Sequence, residues 1–163
     1  MDKQRKERPT VTIDQYLELC QVDLDEDAYL QLEERRYRPK RMGGAAWVRI
    51  LRDQNLRCFY CETDLRVIQR LIINGVIKPR KRGPDGLSGI HFELDHKDAD
   101  KNNNEAANLV ACCYYCNNDK SNTIPSGIFK AYFAPCRQQS FMRLCADHGI
   151  AHTDKFRHNL RGK

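Results

Sequence analysis

Two Cys-x-x-Cys pairs, Cys58–Cys61 and Cys113–Cys116, constrain this chain more than any other feature. Two residues between cysteines let both thiolates reach one Zn²⁺ ion at about 2.3 Å, and two such pairs complete a tetrahedral four-sulfur set. The segment between the pairs is longer than in a compact zinc ribbon, so the fold itself must bring them together. Rival readings are a redox dithiol for either pair taken alone, and small buried hydrophobes. Cys112 adjoins Cys113, but only Cys113 repeats the two-residue gap. Cys20, Cys136 and Cys145 lack close partners, and burial on a helix face outweighs a second site built from Cys136, Cys145, His148 and His152.

The redox compartment decides between metal and disulfides. The chain opens M-D-K-Q-R-K-E-R-P, with no apolar secretory core, and no apolar run reaches membrane-spanning length. The expected location is the cytoplasm, with no membrane partner, where close-spaced cysteines read as metal ligands. A length of 163 residues predicts one domain, able to bury roughly 70% of its unfolded surface.

Charge is distributed unevenly along the chain. Asp14 to Glu34 holds eight acids and no Lys or Arg, whereas Arg35 to Arg82 holds fourteen bases against three acids. The formal charge of +6 therefore hides a strongly basic middle. Two clusters stand out: Arg35, Arg36, Arg38, Lys40 and Arg41, then Lys78, Arg80, Lys81 and Arg82. Either cluster alone can be a solvated face. Flanking a metal site, together they point to a phosphate backbone, whose binding rests mainly on Lys and Arg. The acidic segment can mask the basic one, face a basic partner or keep a helix soluble.

Local patterns outline the elements. Thr12-Ile13-Asp14-Gln15 has the capping-box form, and Ile13, Tyr16, Leu17 and Cys20 follow as one helical stripe. A second helix is expected over Asp25 to Arg36, ending before Pro39, and a third over Ala45 to Asp53 after the Met42-Gly43-Gly44 break. Val67 to Ile77 is rich in β-branched residues, and Gly83-Pro84-Asp85-Gly86 is a turn, so a hairpin is expected there. Ile90 to Asp95 alternates as a strand does. A helix is expected from about Cys113 to before Pro125, and a last one from Pro135 to His148, closed by Gly149.

Between and after the cysteine pairs lie F-E-L-D-H (Phe92–His96) and N-L-V-A-C-C-Y-Y-C-N-N-D-K (Asn108–Lys120). An Asp-His dipeptide ends a strand, Asn108 follows, and Asn117 comes directly after the last pair. Lys120 shares a helical face with Asn117. This ordered set resembles the HNH nucleases, the zinc-bearing branch of the ββα-metal endonucleases. Their pattern is C-x-x-C, D-H or H-H, N-L, then C-x-x-C-[NH]-x-x-K. The likeness covers roughly Ala45 to Pro125 and rests on Cys58, Cys61, Asp95, His96, Asn108, Cys113, Cys116, Asn117 and Lys120. The departures are the long insert Glu62–Ile90, the doubled cysteine, and Lys97 where many members carry an apolar residue.

The resemblance implies an α+β fold: a ββα-metal core with Cys₄ knuckles at 45–125, a charged helical extension at 1–44 and a helical extension at 126–163. It implies metal-dependent hydrolysis of DNA, with RNA the less expected substrate, giving a 5′-phosphate and a 3′-hydroxyl. His96 would be the general base, and Asp95 with Asn117 would hold Mg²⁺ or Mn²⁺. Asn108 would brace the loop that aims His96, and Lys120 would contact a phosphate or close a core salt bridge. The chemistry is sound on its own terms. An imidazole is largely neutral at neutral pH and can take a proton from water, and two oxygen ligands leave a hard cation open positions. Adjacent residues on a regular strand point to opposite faces, so this mechanism requires the strand to end or twist at His96. His91 and Glu93 read as a partly exposed strand face or a supporting layer. The basic clusters and the insert are candidates for gripping a duplex. One such site cuts one strand, so a double-strand break needs a homodimer or two nicks. A phage-defence assembly with an ATPase partner, docked through the acidic segment, is compatible with this chemistry. The alternative is a non-catalytic zinc module that binds nucleic acid or protein.

Overall fold

In the computed structural model, residues 11–22, 24–36, 39, 42–78 and 89–150 are described. Helix α1 (Ile13–Leu19) starts as its sequence dictates: the Thr12 hydroxyl accepts from the Gln15 amide at 3.3 Å, and the Gln15 side chain accepts from the Thr12 amide at 3.1 Å. Helix α2 (Glu26–Arg36) is entered at Asp25, whose carboxylate accepts from the Ala28 amide at 2.8 Å. Acids fill its first turn and Arg35 and Arg36 its last, matching the helix dipole. Helix α3 (Gly44–Asp53) buries Trp47 and Leu51, one turn apart, against α2.

Helix α4 (Leu65–Ile73) corrects the expected hairpin. Asp64 caps it by accepting from the Arg66 amide, and Leu65, Ile68, Leu71 and Ile72 are buried. Their spacing forms a helical stripe that the β-branched composition of the segment conceals. With Ile68, Gln69 and Leu71 buried, this part of the insert packs into the core. The basic residues Arg38, Lys40, Arg41, Arg80, Lys81 and Arg82, the turn at 83–86, and His152 and His158 lie outside the described residues. Arg35 and Lys78 are exposed, and Arg36 is half-buried.

Strands β1 (Glu93–His96) and β2 (Leu109–Cys112) pair antiparallel, with Glu93 opposite Cys112 and His96 opposite Leu109. A 3₁₀ turn over Ala106–Asn108 leads into β2. The outer edge of β2 is not left bare. The Gln54 side-chain amide both donates to and accepts from the Ala111 backbone, at 2.8 and 2.9 Å, and the Phe59 amide donates to the same carbonyl at 3.0 Å. Helix α5 (Tyr114–Lys120) follows directly, so the chain runs strand, strand, helix.

The closing helix is longer than expected from Pro135 alone. It runs continuously as α6 (Ser126–Ile128), a π-helical turn (Phe129–Phe133) and α7 (Ala134–Asp147). Phe129 and Ala134 are both buried, yet in an α-helix residues five apart point about 140° away from each other. A π-turn places residues five apart on one face, which lets both sides of the break face the core. The architecture is therefore mixed: helices around one two-stranded sheet.

A single buried cluster runs from Val11 to Cys145, so the terminal helices share one core with the middle of the chain. Within it sits a polar knot. Tyr16, Tyr29, Glu33 and Gln69 are almost fully buried and hydrogen-bonded to one another. Gln69 also donates to the Ile90 carbonyl at 2.9 Å, tying α1, α2 and α4 to the chain entering β1. Glu33 thus leaves the acidic surface that its sequence neighbours suggest. Among the described residues, no helix is long and apolar enough to cross a membrane.

Candidate metal centre and the adjoining strand–helix site

The first cysteine pair sits in a tight loop after α3. The Cys58 amide donates to the Thr63 carbonyl and the Glu62 amide to the Cys58 carbonyl, and Glu62 takes a left-handed φ of 59° to close the loop. The second pair straddles the start of α5, where Cys113 is the cap and its sulfur accepts from the Cys116 amide at 3.4 Å. The two loops interlock: the Cys113 amide donates to the Cys58 sulfur at 3.3 Å, and the Cys61 and Cys113 sulfurs lie 4.0 Å apart. All four side chains are buried, and their sulfurs fall within 4.8 Å of one another.

Four buried cysteines are thus close enough to bind a metal ion. Among the described residues, they are the only such group of three or more His, Cys, Asp or Glu side chains. Burial, then hydrogen bonds with the neighbouring sulfurs, pushes the Cys113 thiol up, whereas hydrogen bonds from Cys113, Cys116 and Cys58 hold Cys61 down. Thiolates gathered in a dry site need a cation, and the spacing suits a small tetrahedral one. Cys112 is not one of the four: it lies on β2 opposite Glu93, and burial pushes its thiol up. Cys145 is buried on α7, as a helix-face residue is expected to be, whereas Cys136 is exposed and departs from that expectation.

The same two loops fix a second set of groups. On β1, Glu93 and Asp95 lie on one face, beneath α5. The Asn117 side chain donates to the Glu93 carboxylate at 2.6 Å. Three residues on, the Lys120 ammonium pairs with Asp95 Oδ2 at 3.1 Å. These two rungs hold the helix on the strand. Lys120 is only 1% exposed and also lies 5.7 Å from the centre of the Tyr60 ring. It is a core ion pair and not a surface contact for phosphate, because its stem and charge are both enclosed. Asp95 is tied to the cage as well. Tyr60, between the first two cysteines, donates its hydroxyl to Asp95 Oδ2 at 2.5 Å. Burial, reinforced by that bond, raises the Tyr60 hydroxyl well above the ordinary phenol range.

His96 projects from the other face of β1, and the strand ends there. Its Nε2 lies 3.1 Å from the Asn104 side-chain oxygen. An amide oxygen only accepts, so this contact is made with a proton on Nε2. The Asn104 amide is oriented in turn by donating to the Asn102 carbonyl at 3.3 Å. Asn108 braces this loop: its side chain donates to Asp98 and to the Asn103 carbonyl, both at 2.9 Å, and accepts from the Asp98 amide at 3.1 Å. Asp98 is held below the usual carboxylate range by hydrogen bonds from Asn103, Asp100 and Asn108.

Asp95, His96, Asn108 and Asn117 therefore lie on consecutive pieces of one strand–loop–strand–helix unit. Asp95 and Asn117 share the α5 side, with Lys120 and Glu93 as their immediate partners, and His96 sits at the open end. The sequence assigns no role to Asn104, reads Tyr60 as packing around the zinc and reads Glu93 first as strand surface. Only the helical spacing of Asn117 and Lys120, matched to alternation at Glu93 and Asp95, signals the ladder. His91 lies before β1 and belongs to the polar knot, 3.2 Å from both Glu33 and the Tyr16 hydroxyl. No protein-family model, curated protein or solved structure matches this chain.

Proposed function

We propose that this chain is a metal-dependent HNH endonuclease that hydrolyses DNA phosphodiester bonds, with a structural zinc on Cys58, Cys61, Cys113 and Cys116. The observation that carries the reading is the placement of Asp95 and His96 at the end of β1 against an α5 that begins inside the sulfur cage and carries Asn117. The cage holds the α5 entry and, through Tyr60, the Asp95 carboxylate. That is the positional rigidity a hydrolytic site needs.

The chain supplies oxygen donors of the kind a hard cation takes. Asn117 spends its Nδ2 on Glu93, which leaves its Oδ1 to act as an acceptor on the side of β1 that carries Asp95. Asp95 and Asn117 would hold Mg²⁺ or Mn²⁺, which when bound neutralises charge on the phosphodiester and assists the departing 3′ oxygen. His96, with Nε2 tied to Asn104, takes the proton of the attacking water at Nδ1. Asn108 keeps the loop that carries Asn104 in place.

Asp95 is already engaged by Lys120 and Tyr60, and this favours one second reading: a zinc-held module that binds without cutting. Nicking of supercoiled plasmid by the purified chain separates the two. Wild type is expected to nick with Mg²⁺ or Mn²⁺. His96→Ala is expected to lose about 10²-fold or more while unfolding at the same temperature, as removal of a general base requires. Protein that carries its zinc, binds DNA and never nicks with Mg²⁺, Mn²⁺ or Ni²⁺ makes the second reading correct.

A further inference from the structure

Beside the Asp95–His96 site the π-helical turn brings several unusual groups to the surface. Phe133 is 52% exposed and Tyr132 75%, whereas most of the other large aromatic rings among the described residues are buried. Phe133 stacks almost parallel on Phe129, with centroids 5.9 Å apart and planes 6° apart, so one face is spent and the other points outward. Phe129 in turn meets Tyr60 edge-on at 5.4 Å, and Tyr60 holds Asp95. A column of rings thus runs from the Asp95 carboxylate to the surface. Two cations lie over Phe59, whose ring meets Tyr60 edge-on at 5.2 Å. The Lys130 ammonium lies 4.0 Å, and that of Lys97 5.8 Å, from the centre of the same Phe59 ring. Lys97 is the residue after His96.

A duplex keeps its bases stacked inside and offers phosphates alone to such a surface. An unpaired strand offers both phosphates and open base faces, and each exposed ring can take one base. Exposed rings together with two half-buried ammonium groups near the same site therefore match a single strand better than a duplex. It also matches single-stranded DNA better than an apolar protein face, because Lys97 and Lys130 would have to be desolvated against the latter. The π-turn itself fits this role: it buries Phe129 and Ala134 together, and Tyr132 and Phe133 are left on the outside.

We propose that Phe133, Tyr132, Lys130 and Lys97 form a docking surface for single-stranded DNA that leads unpaired nucleotides to the Asp95–His96 site. This deepens the nuclease reading above by naming the form of its substrate, and it rests on that reading for its biological meaning. Binding can be tested apart from cleavage.

The test is fluorescence anisotropy of the full chain with a labelled twenty-residue oligo(dT) and with a blunt mixed-sequence duplex, without added divalent metal. Base–aromatic stacking is worth about 1–3 kcal/mol per base, so Tyr132→Ala/Phe133→Ala should weaken oligo(dT) binding about tenfold or more. Duplex binding should change less than about twofold, and the unfolding temperature should hold because both rings are exposed. Lys130→Ala should lower the salt dependence of oligo(dT) binding by about 0.7 in log–log slope, the signature of one lost phosphate contact. Equal oligo(dT) binding by wild type and the double variant overturns the proposal. So does a wild type that dimerises through these rings, seen by sedimentation as a dimer the double variant dissolves while oligo(dT) binding is unaltered. Failure of the nuclease reading looks different: oligo(dT) binding that depends on the two rings, in a protein that never nicks plasmid.

Discussion

Replacing Lys120 with Met tests the central ladder most directly. The ammonium is 1% exposed and sits 3.1 Å from a carboxylate that is itself 8% exposed. Removing one partner of a buried pair leaves an uncompensated charge and costs about 3–5 kcal/mol. The Tyr60 hydroxyl still donates to Asp95 in the variant, which favours the lower part of that range. For a chain of 163 residues each kcal/mol lowers the melting temperature by about 2–4 °C, so a loss of about 6–12 °C is expected. Lys120→Met combined with Asp95→Asn removes both charges and should recover much of the loss. A double-mutant cycle in urea should give a coupling of about 2–3 kcal/mol. Under the proposed function, Mn²⁺ should stabilise Lys120→Met more than wild type, by up to about 2.7 kcal/mol at a hundredfold excess over its dissociation constant. A loss of under about 2 °C, with no coupling to Asp95, would refute a buried ion pair at the site.

Two further outcomes follow from the cage and the polar knot. Metal analysis should find one zinc per chain, lost in Cys113→Ser but kept in Cys112→Ser, and chelation should unfold the protein, since binding to such a site is itself folding free energy. Retention of zinc in Cys113→Ser, or loss in Cys112→Ser, would move the ligand set. Burial, followed by the charge of Glu33, pushes the Cys20 thiol from 9.0 up to about 12, and the same two causes raise Tyr16 and Tyr29. A raised folded-state value gives stability that is complete below pH 9 and lost as the pH rises toward 12. Urea unfolding between pH 8 and 11 should therefore show falling stability above pH 9. Cys20→Ala should reduce that slope by up to about 1.4 kcal/mol per pH unit; an unchanged slope would place the thiol in contact with water.

What the sequence reveals here follows from how local each cause is. Helix α1 is legible because the Thr12–Gln15 box is complete within four residues, and α5 because Cys113 both caps it and belongs to a motif. Helix α4 is not legible from composition: Val67, Ile68, Ile72 and Ile73 favour a strand locally. Burial of Leu65, Ile68 and Leu71 against the rest of the core outweighs that weak preference. The four sulfurs are legible as a set because two short loops each carry half of it. The partners of the conspicuous polar residues are not, because they are settled by the register of β1 under α5. One residue of slip would exchange Glu93 and Asp95 for Leu94 and His96 beneath Asn117 and Lys120. Both carboxylates lie on the side of β1 that receives Asn117 and Lys120, so the register that buries Val110 and Cys112 also sets both rungs. Val110 stands directly across the strand pair from Asp95, so a conservative change there acts on the carboxylate at first hand.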